Sequence, residues 1–180
     1  YKRTDYNEYD AWAGFLAMLD PDFVAELQNT TLTVVKSSTD GGSYETFTAK
    51  MFLASTTEVG LANENGIAEG SLLALFSNNA SRIAYPTAEC VNSSEYSNSN
   101  FSTSKGWYWW LRTPTSSNAH YVRRVSSDGT LDVSDACYGL GGVRPLCVLK
   151  SEILKSYLDG DERKRAEAVD IMTVSYTHLR

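Results

Sequence analysis

Apolar residues recur with helical spacing at the start of the chain. Trp12, Phe15, Leu16 and Leu19 fall at i, i+3, i+4 and i+7, which predicts an amphipathic helix. Asp20-Pro21 then restarts the chain, since Asp suits a helix N-cap and Pro the first helical position. Phe23, Val24 and Leu27 make that second short helix half-buried. The β-branched run Thr31–Val35 predicts a strand, and Asp40-Gly41-Gly42-Ser43 a loop. Lys50–Ala54 reads as a buried strand. Ser55-Thr56-Thr57-Glu58 fits a capping box and predicts a short helix over Val59–Leu61. Asn63–Gly66 is a turn. Ser71–Phe76 reads as a brief apolar helix, and a polar segment, Ser77–Arg82, follows. Asn92–Ser104, rich in Ser and Asn, is a long loop of the kind that carries function or moves.

The second half is strand-like. Trp107–Arg112 predicts a strand whose aromatic side chains alternate between faces. Ala119–Val125 and Thr130–Val133 are strands joined by Ser126–Gly129, where Asp128-Gly129 favours a tight hairpin. Gly139–Gly142 is a turn before a last core strand, Val143–Leu149. Ile153, Leu154, Tyr157 and Leu158 predict one more packed turn or strand, broken at Asp159-Gly160-Asp161. Helices first and antiparallel strands after give an α+β class with no internal repeat.

A chain of 180 residues, 42% hydrophobic and 21% charged, has the make-up of an ordinary globular domain with a real core. The net charge of −6 argues against a nucleic-acid groove and against attraction to anionic lipid. No apolar run approaches a membrane span, so no membrane insertion is expected. Cys90, Cys137 and Cys147 are too few and too widely spaced for a disulfide framework or a zinc site. A Cys137–Cys147 bridge is one reading and free core thiols the better one, because Cys147 sits in an apolar run.

Both ends carry their own signals. The start at Tyr1 reads as a fragment edge. The last seven residues, Val174–Arg180, match the translation of a transposase mosaic end used as a sequencing adaptor, which makes 174–180 non-native and the gene metagenomic. That reading removes His178 and leaves His120 as the one native histidine. It gives a single domain over 1–158, truncated at its N-terminus, and the start of a linker or next segment over 159–173.

Three segments together resemble a known family: Trp107–Pro114 (WYWWLRTP), His120–Val133 (HYVRRVSSDGTLDV) and Tyr138–Leu149 (YGLGGVRPLCVL). With Lys50–Ser55 (KMFLAS) upstream, they resemble the bacterial family catalogued as domain of unknown function 6273, over about residues 8 to 150. Leu146 stands where that pattern usually has Ala. The closing motif is similar to the end of C-type-lectin-like domains, among them formylglycine-generating-enzyme-like and phage receptor-binding proteins. The resemblance thus implies a C-type-lectin-like α+β domain: N-terminal short helices, then a twisted antiparallel sheet. It makes Trp109, Trp110, Arg112, Pro114, Arg144 and Pro145 the structural signature of the fold.

Candidate chemistry is sparse. A tryptophan face can stack on sugar rings, although core packing is the commoner use of such residues. Arg112 and Arg144 lie in apolar strands, which favours structural arginines with packed stems over an anion grip. His120, alone, is a weak acid or base and reads as a strand-edge surface residue. Cys137 and Cys147 do not match the copper-binding cysteine segment of the formylglycine-generating enzymes. Asp128, Asp132 and Asp135 lack the glycine and terminal glutamate of a calcium loop. No phosphate loop, dinucleotide fingerprint or hydrolase elbow is present.

The expectation is therefore a non-enzymatic ligand-binding or interaction module of a larger bacterial or prophage-encoded protein, with no catalytic residues, metal or cofactor. Its contact candidates are Trp107, His120, Tyr121 and Tyr138, on a loop side formed by Thr115–His120, Asp135–Leu140 and Asn92–Ser104. Its expected partner is a glycan or a cell-surface protein, and its expected setting the cell surface, the secreted fraction or a phage particle. A diverged formylglycine-generating-enzyme-like enzyme and a purely structural domain are the competing expectations.

Overall fold

A computed structural model describes residues 15–94, 96 and 98–150, and the chain divides into two compact units. One unit comprises the chain up to Gln28 and from Cys147 on; the other is Asn29–Leu146. Trp12 and everything after Lys150 lie outside the described residues, including the expected packed turn at Ile153–Leu158, its break at Asp159–Asp161 and the adaptor-like end.

In the first unit, Phe15–Met18 is a single 3₁₀ turn. Over its described part the expected Trp12–Leu19 helix is only this turn, with Leu19 already outside it. Asp20 caps α1 (Pro21–Glu26): its Oδ1 accepts from the amides of Asp22 at 2.8 Å and Phe23 at 3.3 Å. Pro21, at the first helical position, gives up an amide that would find no partner there. Phe23 and Leu27 are buried. Leu27 is extended (φ −78°, ψ 133°) and turns the chain into a bridge with Leu149. There the Gln28 amide donates to Val148 O at 2.8 Å and the Lys150 amide to Glu26 O at 3.0 Å.

The second unit opens with β1 (Thr30–Val35) and β2 (Tyr44–Ala49), antiparallel from Thr30 opposite Ala49 to Val35 opposite Tyr44. Leu32 and Val35 are buried, whereas β2 is exposed almost throughout. β3 (Met51–Leu53) pairs with β7 (Pro145–Cys147), where the chain leaves the unit. The final strand is three residues long rather than the seven expected. β4 (Trp109–Pro114), β5 (Tyr121–Val125) and β6 (Leu131–Asp135) form an antiparallel sheet in that order. β4 begins two residues later than its aromatic run suggests. Trp107 instead makes an isolated bridge with Ala84.

Three local expectations are corrected. The Ser55–Glu58 capping box forms: the Glu58 amide donates to Ser55 Oγ and the Ser55 amide to Glu58 Oε2, both at 3.0 Å. Yet no helix follows over Val59–Leu61, because the chain turns at Gly60 with φ +68°. Ser71–Phe76 is not helical either; only Phe76 is buried, and Leu72 and Leu75 remain 58% exposed. The helix lies in the following polar segment: α2 (Asn79–Arg82) is closed by a reciprocal box between Asn78 and Ser81. α3 (Ala88–Ser93), capped by Thr87, takes the start of the expected long loop.

The core gathers Ala54, Val59, Phe76, Trp109, Leu111 and Val125, with Leu61, Ala84, Leu131 and Leu146 against it. β4 supplies its centre, alternating buried and half-buried residues as a strand must. Trp109 stacks on Phe76 at 5.9 Å between ring centres, and its indole N–H donates to Arg82 O at 2.9 Å.

The Asp128-Gly129 hairpin forms between β5 and β6. The Ser126 amide donates to Thr130 O at 2.8 Å, and Gly129 has φ +84°. A Cβ on Gly129 would lie 1.9 Å from Asn79 O, whereas one on Gly139 would meet nothing within 4 Å. Gly129→Ala is therefore expected to destabilise the fold by more than about 1 kcal/mol and Gly139→Ala to be near neutral. Urea denaturation of the two variants measures this; equal midpoints would contradict it. Trp109→Ala should cost about 3–5 kcal/mol by the same measurement.

Candidate functional site

Among the described residues two polar constellations stand out, one closed and one open. The closed one is built on Arg112. β4 carries more residues than β5 between Trp110 and Pro114, so its register slips there. The Arg112 amide donates to Ala54 O at 2.9 Å instead. The Arg112 guanidinium grips Glu58 with both Nη atoms, at 2.6 and 2.9 Å, and also donates to Leu53 O and Glu69 O at 2.8 Å. Both side chains of the pair are below a tenth exposed.

Glu69 lies beside this pair and is fully buried. Its Oε1 accepts the Val35 amide at 3.1 Å, and its Oε2 accepts the Thr113 hydroxyl. Thr113 Oγ1 in turn accepts the Thr56 amide at 3.0 Å. Burial raises the Glu69 pKa; the bonds from Thr113 and Val35 and the charge of Arg112 oppose that rise, and the Glu58 charge adds to it. Gly70 completes the clasp with φ +98°, since a Cβ there would lie 2.7 Å from Glu58 Oε1.

Two more arginines are structural. Arg144 lies over the rings of Phe76 and Trp109, each 5.1 Å from the guanidinium carbon. Arg82, unremarked in the sequence, is buried and donates to Val59 O, Gly60 O and Asn79 Oδ1. It ties the turn after the capping box to α2.

The open constellation lies ahead of β4. The Trp107 amide donates to Ala84 O and its indole N–H to Leu140 O, both at 2.8 Å. Ring centres of Phe101, Tyr96 and Tyr108 stand 4.9, 5.4 and 5.6 Å from that of Trp107. Tyr96, Asn98, Asn100, Lys105, Trp107 and Tyr108 line an open groove of about 530 Å³, together with Gly106 and Ser127. That volume falls within the range of about 300–1,000 Å³ usual for small-ligand sites. Gly106 is required, because a Cβ there would lie 2.3 Å from Ser127 O. Lys105 Nζ donates to Asn100 Oδ1 at 2.8 Å, and Asn98 Nδ2 to Tyr96 Oη at 3.2 Å. Arg124 sits over the Tyr108 ring at 4.2 Å and is paired with Asp132 at 2.8 Å.

The four contact candidates divide. Trp107 lines the groove. His120 and Tyr121 are exposed at the far end of β5, where Tyr121 opposes Asp135 and His120 O accepts the Ala136 amide at 2.9 Å. Tyr138 is 55% exposed in the turn just beyond Asp135. Trp109, two residues after Trp107, pairs with Val125 at the near end of β5. The four-residue step from Val125 to Tyr121 is about 13 Å of strand. His120 and Tyr121 thus stand at the far end of β5 from Trp107, whereas Tyr138 lies two residues from Leu140, whose carbonyl oxygen accepts the Trp107 indole N–H.

Of the signature residues, Trp109 is core, Trp110 packs on Gly141, and Arg112 and Arg144 are placed as above. Pro114 opposes Val122, and Pro145 opens β7. Bonds from the Thr130 hydroxyl and amide hold the Asp128 carboxyl below its ordinary range. Among the described residues no three His, Cys, Asp or Glu side chains converge as metal ligands. All three cysteines are free thiols, but Cys137 is exposed rather than in the core, having fallen in the turn after β6. Cys147 is half-buried, and burial pushes its thiol pKa up.

The sequence reading missed Tyr96, Phe101 and Lys105 as groove residues. Their signal was present: Tyr96 and Phe101 are the aromatic residues of the Ser- and Asn-rich Asn92–Ser104 stretch.

Two outcomes follow from the clasp. Arg112→Ala leaves the Glu58 carboxylate buried without its partner and should cost about 3–5 kcal/mol in urea denaturation. Glu69 has a native pKa above its ordinary 4.5, so the folded chain binds that proton more tightly than the unfolded one. Its contribution is full below the ordinary value and is lost as pH rises through the raised one. Glu69→Gln keeps the shape of the neutral acid and should flatten that decline. Denaturation midpoints of both proteins across pH test this, and parallel profiles would rule it out.

Comparison with known families gives one match, the family described as a domain of unknown function and numbered 6273, whose model aligns with residues 5–151. No curated protein and no solved structure matches the chain. With the aligned region covering most of its length, the chain belongs to the domain of unknown function 6273 family.

Proposed function

We propose that this domain is a non-enzymatic carbohydrate-binding module with a C-type-lectin-like fold, and that the groove beside Trp107 is its site. The observation that carries this reading is the composition of the groove. One wall is aromatic, from Trp107, Tyr108 and Tyr96, and the rim bears the side chains of Asn98, Asn100 and Ser127. A pyranose presents the matching pair, an apolar C–H face and a ring of hydroxyls. Indole and phenol rings accept the first, and amides and hydroxyls pair with the second.

The surroundings support the same assignment. Trp107 is fixed at both its amide and its indole nitrogen, so its ring is held in place before any ligand arrives. The Arg112 clasp, by contrast, is closed, with both Nη groups committed to Glu58 and carbonyl oxygens. In the groove, polar groups face solvent beside flat apolar surface.

Screening the purified chain against immobilised hexoses, N-acetylhexosamines and their oligomers, with titration calorimetry of any hit, is the test. Trp107→Ala and Asn98→Ala should each weaken binding, the first by about tenfold or more, as expected for a packed aromatic anchor. Tyr121→Ala, at the far end of β5, should leave it unchanged. Sugar binding that survives Trp107→Ala in a folded protein and is lost in Tyr121→Ala would move the site to that end of β5.

A further inference from the structure

Resting on the groove being a sugar site, we propose that Lys105 makes it selective for sugars that carry a carboxylate, such as uronic acids. Three arginines of this unit have carboxylate partners. Arg112 is matched by Glu58 at 2.6 Å, Arg123 by Glu64 at 2.6 Å and Arg124 by Asp132 at 2.8 Å. Arg124 is thereby neutralised even though it lies over Tyr108, on the groove's own wall. Lys105 differs from all three. It lines the groove, and its Nζ donates to the neutral side-chain oxygen of Asn100. Among the described residues no carboxylate pairs with it.

An ammonium has three donors, and the Asn100 bond uses one. The same bond holds Nζ at the rim, on the side that carries Asn98 and Asn100, instead of leaving it free in solvent. Two donors and a full charge therefore remain for a ligand. The chain as a whole carries −6, so its general field repels anions. A cation with no carboxylate partner among the described residues, beside an aromatic wall, is a local exception to that field. A sugar stacked on Trp107 with a ring carboxylate toward Lys105 would supply the missing counter-charge, and its hydroxyls would meet the amides and Ser127. A neutral sugar would make the stacking and amide contacts alone.

The experiment compares two probes that differ at one carbon, methyl β-glucuronide and methyl β-glucoside, by titration calorimetry or saturation-transfer NMR on the full chain. The wild type should bind the glucuronide about two- to fivefold more tightly, the scale of a partly exposed ion pair. That preference should fade as ionic strength rises from about 0.01 M to about 1 M, where the screening length falls from about 30 Å to about 3 Å. Lys105→Gln, at an exposed position, should keep the melting temperature and lose the preference, the two affinities becoming equal. Equal binding of both probes by the wild type, or a preference that persists in Lys105→Gln, overturns the role of Lys105 while leaving the sugar site standing. Binding of neither probe, by wild type or variant, together with no hit in the wider sugar screen, overturns both.

Discussion

The Arg112 guanidinium joins three pieces of chain. It reaches the end of β3 through Leu53 O, the turn after β3 through the Glu58 carboxylate, and the loop beyond through Glu69 O. Its own strand passes the rest of the load to Thr113, which reaches Thr56 and Glu69, and Glu69 in turn reaches the Val35 amide at the end of β1. Burying so much charge is unfavourable unless nearly every donor and acceptor is matched. That demand fixes the path of residues 55–70 with little freedom. It also explains why a well-formed capping box leads to no helix. Glu58 serves the box with the same carboxylate that Arg112 holds, and Gly60 then turns the chain away.

How much of this was legible depended on whether a signal was local. Asp20-Pro21 and Asp128-Gly129 each specify geometry within four residues, and both formed as the sequence predicts. β1 declared itself through β-branched residues. β2 did not, because Tyr44–Ala49 has no buried face and thus no apolar alternation to read. The apolar Ser71–Phe76 run misled in the opposite way: its leucines stay outside, while the helix starts at the modest Asn78–Ser81 box. Arg112 and Arg144 were readable as structural residues because an unpaired charge in an apolar strand is untenable. Their partners were not readable, since Glu58 and Glu69 lie more than forty positions away from Arg112. The groove has the same character. Trp107 stands out in any reading, but Tyr96 and Phe101 join it only once the loop has folded back.

The family signature can now be understood residue by residue. Trp109 fills the core, Arg144 covers it, Arg112 clasps the turn, and Gly141 leaves room for the Trp110 ring. Each answers to packing or to charge compensation. A pattern of this kind identifies the scaffold and carries no instruction about a ligand.

The short stretch between Gly106 and Trp109 marks a division of labour. On one side Trp109, pinned by Arg82 and Phe76, belongs to the scaffold; on the other, residues 98–105 hang from it as a loop whose amides and charge are solvent-facing. Substitutions in that loop touch neither the clasp nor the core. The polar chemistry of that loop is therefore separable from the sheet beneath, and the one can change without refolding the other.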